Sequence, residues 1–262
     1  MNENVDIFIY SHIPFKPLVS NDIYKVLVNT KEDIDTKLKV YRDYEGDNIA
    51  DMNLMYNEYT GLYWLWKNYD IKSYIGLNHY RRYYDFMDTP PDFDSVFRIF
   101  NIVLNEPFPL KVMGEGNAMN NRDWYAFWHN VEDFDKLESL FSNKYPEYMD
   151  GFNKMKKSDF TFPSSMFTMR KEDFKEYCEF IFSVLGEYRK ENGLMSTSDC
   201  IKYVEENKSK YIKGYLPYYT VEMQARIIGY IAERVLQTYL MNGNNSLYDR
   251  SMFLKWNVFE TK

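Results

Sequence analysis

The chain has 262 residues, of which 45% are hydrophobic and 27% charged, with a formal net charge of −7 and an aromatic share of 19% that includes 25 Tyr and 19 Phe. Such a length can bury one substantial core, and the acidic balance excludes a general nucleic-acid binder, which needs excess Lys and Arg along the phosphate backbone. Cys178 and Cys200 stand far apart without CxxC or Cys/His spacing, which excludes a disulfide framework and a zinc site and favours a reducing, cytoplasmic setting.

In chain order, VDIFIY (5–10) is a continuous run of β-formers that predicts a buried first strand, and SHIPFKP after it predicts a loop at the strand's C-terminal end. His12 stands just past that end, either touching a ligand or as an ordinary loop histidine. YKVLVNT (24–30) predicts a second strand, and residues 31–47 predict loop and short helix. From Asn48 the pattern turns helical. Met52, Met55, Tyr56, Tyr59, Leu62, Tyr63 and Trp66 recur at three and four, leaving Asn53, Asn57, Glu58 and Lys67 elsewhere around the helix. Asp47 or Asn48 can cap it, and the free N–H groups of a first turn favour a nearby anion.

SYIGLN (73–78) predicts another buried strand, which ends on His79, Tyr80, Arg81 and Arg82. Ligands of α/β sheets bind beyond the C-terminal ends of the strands, and a guanidinium presents a planar fork of donors to phosphate. The cluster therefore suits an anionic, sugar-bearing ligand; the alternative is a pair of solvated arginines bridged to Asp85 or Asp88. MDTPPDFD (87–94) marks a loop, IVLNE (102–106) a further strand, and KVMGEGNAMNNRD (111–123) a mobile loop over a site. Residues 124–141 predict a helix with His129 among large aromatics, where a core histidine is the ordinary outcome. FPSSMFTM (162–169) predicts a late core strand, and residues 170–193 a long amphipathic helix ended by Gly193. YIKGYLPYY (211–219) predicts a short strand or turn, and residues 220–240 a helix carrying Arg226, Glu233 and Arg234. The tail, 242–262, is expected to pack back on the same single domain, with contact at a membrane surface as the alternative. No signal peptide is visible, and no apolar stretch is long enough to span a bilayer.

Motifs that would fix a chemistry are sparse. Three DxD patterns, at Asp33 and Asp35, Asp92 and Asp94, and Asp133 and Asp135, resemble metal-binding carboxylate pairs, but none follows a clear strand end. Glu58, Asp85, Asp199, Glu222 and Glu233 are available as general bases, and no spacing selects among them. No GxSxG, P-loop, GxGxxG or HExxH occurs, so hydrolase, NTPase, dinucleotide and zincin readings lack their geometry and no organic cofactor is expected.

NEYTGLYWLWKN (57–68) followed by YIGLNHYRRYY (74–84), then SMFTMRKEDFKEYCEFIFSVL (165–185) and QARIIGYIAERVLQTYL (224–240), resemble the DUF4422 family of bacterial capsule and exopolysaccharide glycosyltransferases over almost the whole chain. Tyr59, where the family usually shows Leu, and Ser165, where it often shows Asn, depart from the pattern. The resemblance implies an α/β, GT-A-like fold with a central mixed sheet flanked by helices. It implies transfer of a sugar, with galactofuranose the first guess, from a UDP-linked donor to a saccharide or lipid-linked saccharide acceptor. Mn2+ or Mg2+ is the implied cofactor, with Asp85 as ligand. Glu58, Asp85 and Glu233 are the catalytic candidates. His12, Asn48, Asn53, Lys67, His79, Tyr80, Arg81, Arg82, His129, Arg226 and Arg234 are the donor-binding candidates. Successive helical residues project about 100° apart, so Glu233 and Arg234 are expected in different environments, one at the cleft and one at a structural partner. The other functions open to the chain are a non-catalytic carbohydrate- or nucleotide-binding module and a structural partner in a polysaccharide assembly.

Overall fold

The computed structural model describes residues 4–111, 118–214 and 219–259. Along the chain the strands are β1 (Val5–Ser11), β2 (Tyr24–Val28), β3 (Val40–Arg42), β4 (Tyr74–His79), β5 (Arg82–Tyr84), β6 (Ile102–Asn105), β7 (Phe108–Pro109), β8 (Phe160–Thr161), β9 (Phe167–Arg170), β10 (Ser251–Leu254) and β11 (Trp256–Val258). All seven residues of β1 are buried, which requires a place in the middle of a sheet covered on both faces. The main sheet runs β10-β6-β9-β4-β1-β2-β3. It is parallel except at β9, which lies antiparallel between β4 and β6.

Side chains alternate across a strand, and β1 divides the core accordingly. Phe8 and Tyr10 face one layer with Leu27, Ile75, Leu77 and Leu104, while Val5, Ile7 and Ile9 face the other with Val26, Val28, Tyr83, Tyr84 and Phe97. The helices are α1 (Asn53–Tyr56), α2 (Tyr59–Asn68), α3 (Phe93–Ile99), α4 (Asn121–Trp128), α5 (Val131–Lys144), α6 (Met149–Lys157), α7 (Lys171–Asn192), α8 (Thr197–Glu206), α9 (Lys208–Tyr211), α10 (Val221–Gln224) and α11 (Ile227–Leu240). The first layer is built on α2, α7 and α11, and α3 covers the second. This is the α/β, GT-A-like architecture that the resemblance implies, a central mixed sheet flanked by helices.

Three expected helices are interrupted. The one from Asn48 breaks at Asn57, which adopts a left-handed φ of 54° between α1 and α2. The second breaks at His129, because Asn130 turns to cap α5 and its side chain accepts from the Glu132 N–H. The third breaks at Ala225 and Arg226, between α10 and α11. Residues 31–47 hold β3 and no helix, and α3 begins inside the expected loop. The late strand starts only at Phe167, because Pro163–Ser165 form a 3-10 turn with left-handed φ values of 62° at Ser164 and 47° at Ser165. Gly193, with φ 66°, ends α7 as expected.

The tail packs back, β10 joining β6 and β11 joining β5. Positions 112–117 of the expected loop at 111–123, and positions 215–218 of the expected strand or turn, lie outside the described residues, and α4 begins at Asn121 inside the expected loop. Among the described residues no helix is long and apolar enough to cross a membrane.

Candidate active site

β1 and β4 run parallel, so both deliver their last residues to one edge of the sheet. There the Tyr80 N–H donates to the Tyr10 carbonyl at 3.0 Å, and the chain turns through Arg81 into β5. The turn gathers four rings, with the His12, His79 and Phe15 centroids 5.9, 4.5 and 5.8 Å from buried Tyr80. Arg81 is exposed and lies over Tyr80, 5.1 Å from its centroid. Its N–H donates to His79 Nδ1 at 3.2 Å, which makes that nitrogen the unprotonated one. Burial, then Arg82, Arg81 and His12, push the His79 pKa down to about 2. Burial, then Arg226 and Arg81, lower that of His12. Both rings are therefore neutral where a third cation would be repelled.

Arg82 is half-buried. Its Nη1 donates to Ser164 Oγ and its guanidinium stands 5.7 Å from the Trp256 ring centre. The Nε atoms of Arg82 and Arg226 are buried and have no partner among the described residues. Glu58 follows the kink at Asn57 and precedes α2. Burial, with Glu233 as a like charge, raises its pKa to about 7 against the opposing pull of Arg82 and Arg226. Glu233 reaches the group from α11, its Oε1 accepting from the Ser164 N–H at 3.2 Å and its Oε2 from Arg234 Nη1 at 2.8 Å. Three left-handed residues other than glycine, Asn57, Ser164 and Ser165, thus border the charged group, each costing about 1–2 kcal/mol. Gly229 of α11 leaves room for the Asn57 side chain: a Cβ there would stand 2.1 Å from Asn57 Nδ2 and would force that amide to move.

His12, Glu58, His79, Tyr80, Arg81, Arg82, Arg226 and Glu233 are therefore brought together. Of the remaining candidates, Asn48, Asn53, His129 and Arg234 make contacts within the fold, while Lys67 and Asp85 are exposed. Glu233 faces the charged group and Arg234 is buried against the scaffold, the division expected of them, but the two are not isolated: the guanidinium also folds back onto its neighbour's carboxylate. Arg234 is buried, also donates to the Tyr230 carbonyl at 3.2 Å and lies over Tyr125. His129 stacks on Tyr230 at 3.9 Å and meets Gln224 at 3.2 Å. Burial, then Arg234, holds its pKa down to about 3.

Asn48 closes a turn, donating to the Tyr44 and Gly46 carbonyls and accepting from the Ala50 N–H. Asn53 donates to Tyr10 Oη, the Asn57 carbonyl and Thr60 Oγ1. Those groups surround Asp43, a buried carboxylate at the end of β3 that also accepts from Asn29 at 2.8 Å. Lys67 lies near the end of α2, its ammonium 3.3 Å from the Trp66 ring centre, on the way to the N-terminal end of β4 and away from its site end. Asp85 is exposed beyond β5.

Asp88 accepts from the Ser20 and Asn21 N–H groups, both at 2.7 Å, so the arginine-to-Asp88 bridge does not form. Asp199 closes the capping box of α8, and Glu222 lies exposed in the first turn of α10. The DxD carboxylates are dispersed: Asp33 and Asp35 face Arg42 and Lys16, Asp133 is buried under Tyr211, and Asp135 pairs with Arg122. Among the described residues no three of His, Cys, Asp and Glu form a metal-ligating group. Sequence reasoning missed Asp43, Ser164 and Trp256; Pro163 before two serines is the signal that could have marked the turn.

A family model described as a domain of unknown function, DUF4422, matches residues 6–206. No curated protein matches the sequence. Among solved structures the chain is similar to the apo structure of the bifunctional glycosyltransferase WbbM, at 22% identity and a TM-score of 0.71, over 99% of this chain and 46% of that one. That likeness is one of fold, and the chain spans less than half the length of its structural neighbour. Arg226, Glu233, Arg234 and Trp256 lie past the matched residues.

Proposed function

This chain belongs to the DUF4422 family, and on that premise we propose that it is a glycosyltransferase that moves a sugar from a UDP-linked donor to a hydroxyl of a saccharide or lipid-linked saccharide acceptor. The observation that carries the reading is the crowding of Arg82 and Arg226 near Glu58, a carboxylate whose pKa is raised to about 7, with Arg81 beside Arg82, at the C-terminal edge of the parallel strands. Arg81 and Arg82 hold the donor's diphosphate by charge-assisted bonds and stabilise it as it leaves. Glu58 titrates near neutral pH, where a general base works best. It takes the acceptor hydroxyl's proton as that oxygen bonds to the anomeric carbon and the bond from the same carbon to the diphosphate oxygen breaks.

Galactofuranose as the sugar, capsular or exopolysaccharide synthesis as the setting and a cytoplasmic location rest on the family resemblance. The arginines supply positive charge for the diphosphate. Mn2+ or Mg2+ with Asp85 is a separate proposal that the same assay tests.

The experiment is a panel of nucleoside diphosphates and nucleotide sugars, with and without Mn2+, followed by melting temperature and by donor consumption in the presence of oligosaccharides. UDP or a UDP-sugar should raise the melting temperature by mass action, whereas single-stranded nucleic acid should not. If no nucleoside diphosphate shifts the melt or gives calorimetric heat, the reading fails. Binding without donor consumption under any condition would leave a nucleotide-binding module.

A further inference from the structure

Ser164 belongs to no motif, yet it touches both the cationic and the anionic side of the site. Its hydroxyl accepts from Arg82 Nη1, and its N–H donates to Glu233 Oε1 at 3.2 Å. The next residue, Ser165, shares a hydrogen bond between its hydroxyl and that of Tyr59, which directly follows Glu58. Two consecutive left-handed residues, with φ 62° and 47°, allow these contacts to fan out toward β5, α11 and α2. A right-handed turn would rotate the N–H and the hydroxyl of Ser164 away from their present partners. Left-handed backbone is unfavourable for serine, so it persists only where the surroundings impose it.

We infer that Ser164 is a positioning residue: it fixes the Arg82 guanidinium relative to Glu233, so that the phosphate-binding and proton-handling halves of the site keep one spacing. The inference rests on the donor-binding reading for its consequence in catalysis, but the arrangement itself is testable without a ligand. Arg82 also stands beside the Trp256 ring and feels the Glu233 and Glu58 carboxylates. The Ser164 hydroxyl supplies the directional restraint that a ring face lacks.

The test is Ser164→Gly, which keeps the N–H and the left-handed backbone and removes the hydroxymethyl group, with Ser164→Ala as a second variant that retains the Cβ and removes the hydroxyl alone. UDP affinity by calorimetry should fall about fivefold to tenfold in both, while the melting temperature of the glycine variant stays level or rises because glycine tolerates φ > 0. A filler role predicts the reverse, a lower melting temperature with unchanged affinity, and would overturn the inference. Ligand-free unfolding of the wild type, Ser164→Gly, Arg82→Ala and the double variant forms a cycle. The serine change should cost less once Arg82 is gone, and additivity would overturn the inference. If UDP does not bind the wild type, the donor reading falls while the cycle still decides whether Ser164 holds Arg82.

Discussion

The two edges of the main sheet handle charge differently. At the N-terminal edge Asp6, 1% exposed on β1, is met by Lys25 at 3.3 Å, Lys72 at 3.1 Å and the Tyr69 hydroxyl at 2.8 Å. Arg170, at the end of antiparallel β9 and so at the same edge, donates to Asn101 and to the Phe97 and Phe100 carbonyls. The chain answers its own charges there. At the C-terminal edge His12, His79, Arg81, Arg82 and Arg226 crowd together, two guanidinium Nε atoms find no partner among the described residues, and Glu58 and Glu233 are the carboxylates that act on the arginines. Burial without pairing is costly, and this contrast is what the proposed donor site rests on.

The sharpest way to break this contrast is Glu58→Gln. A general base contributes about 10²–10⁴-fold, so turnover should fall by at least about 100-fold while the melting temperature holds or rises. Wild-type turnover would remove Glu58 from the chemistry. Arg82→Ala and Arg81→Ala come next, each weakening UDP binding or turnover by about tenfold, given roughly 1.5–3 kcal/mol for a hydrogen bond to a charged group. Unchanged kinetics in both would make them surface charges. At the other edge Asp6→Asn should show the opposite pattern, losing about 2 kcal/mol in urea unfolding with turnover per folded molecule unchanged. A loss of turnover there would erase the distinction.

The smallest effect is on pH dependence. Glu58 is raised from its ordinary range to about 7, so between about 4.5 and 7 the folded protein keeps a proton that the unfolded chain releases. Its contribution to stability therefore falls as pH rises through that window. His79 and His129, lowered to about 2 and about 3, act oppositely and remove stability as pH falls below about 6.5. Glu58→Gln should make the melting temperature less negative in slope with pH between 4.5 and 7, and an unaltered slope would contradict the raised pKa.

β1, β2, β4, β6 and α7 were legible because continuous β-branched runs and a Gly-ended amphipathic stretch are local signals. So was the cluster at His79 to Arg82, since it directly follows a readable strand. The breaks at Asn57, His129 and Arg226 were not, because the apolar period runs on across each of them while the backbone turns for tertiary reasons such as the Asn57 contact with α11. The split of Glu233 toward the site and Arg234 toward the scaffold followed from their projections, but the ion pair between them did not: a 100° projection describes Cα–Cβ directions, and a long guanidinium can fold back across that angle. Asp43 and Ser164 gather partners from distant segments, and nothing in their immediate neighbourhood declares it.

The pairing of β11 with β5 also bears on biosynthesis. Val258 stands opposite Arg82, the Phe259 N–H donates to the Arg81 carbonyl, and Lys255 accepts from the Asp85 N–H. A ribosome delivers β5 early and β11 near the end of this sequence, so through most of synthesis the arginine strand has an open edge and no partner. The charged edge can reach its working geometry only after the last described strand has emerged. A nascent chain that stalled just short of Trp256 would carry nearly the whole hydrophobic core and still present its arginines on an unsupported ribbon.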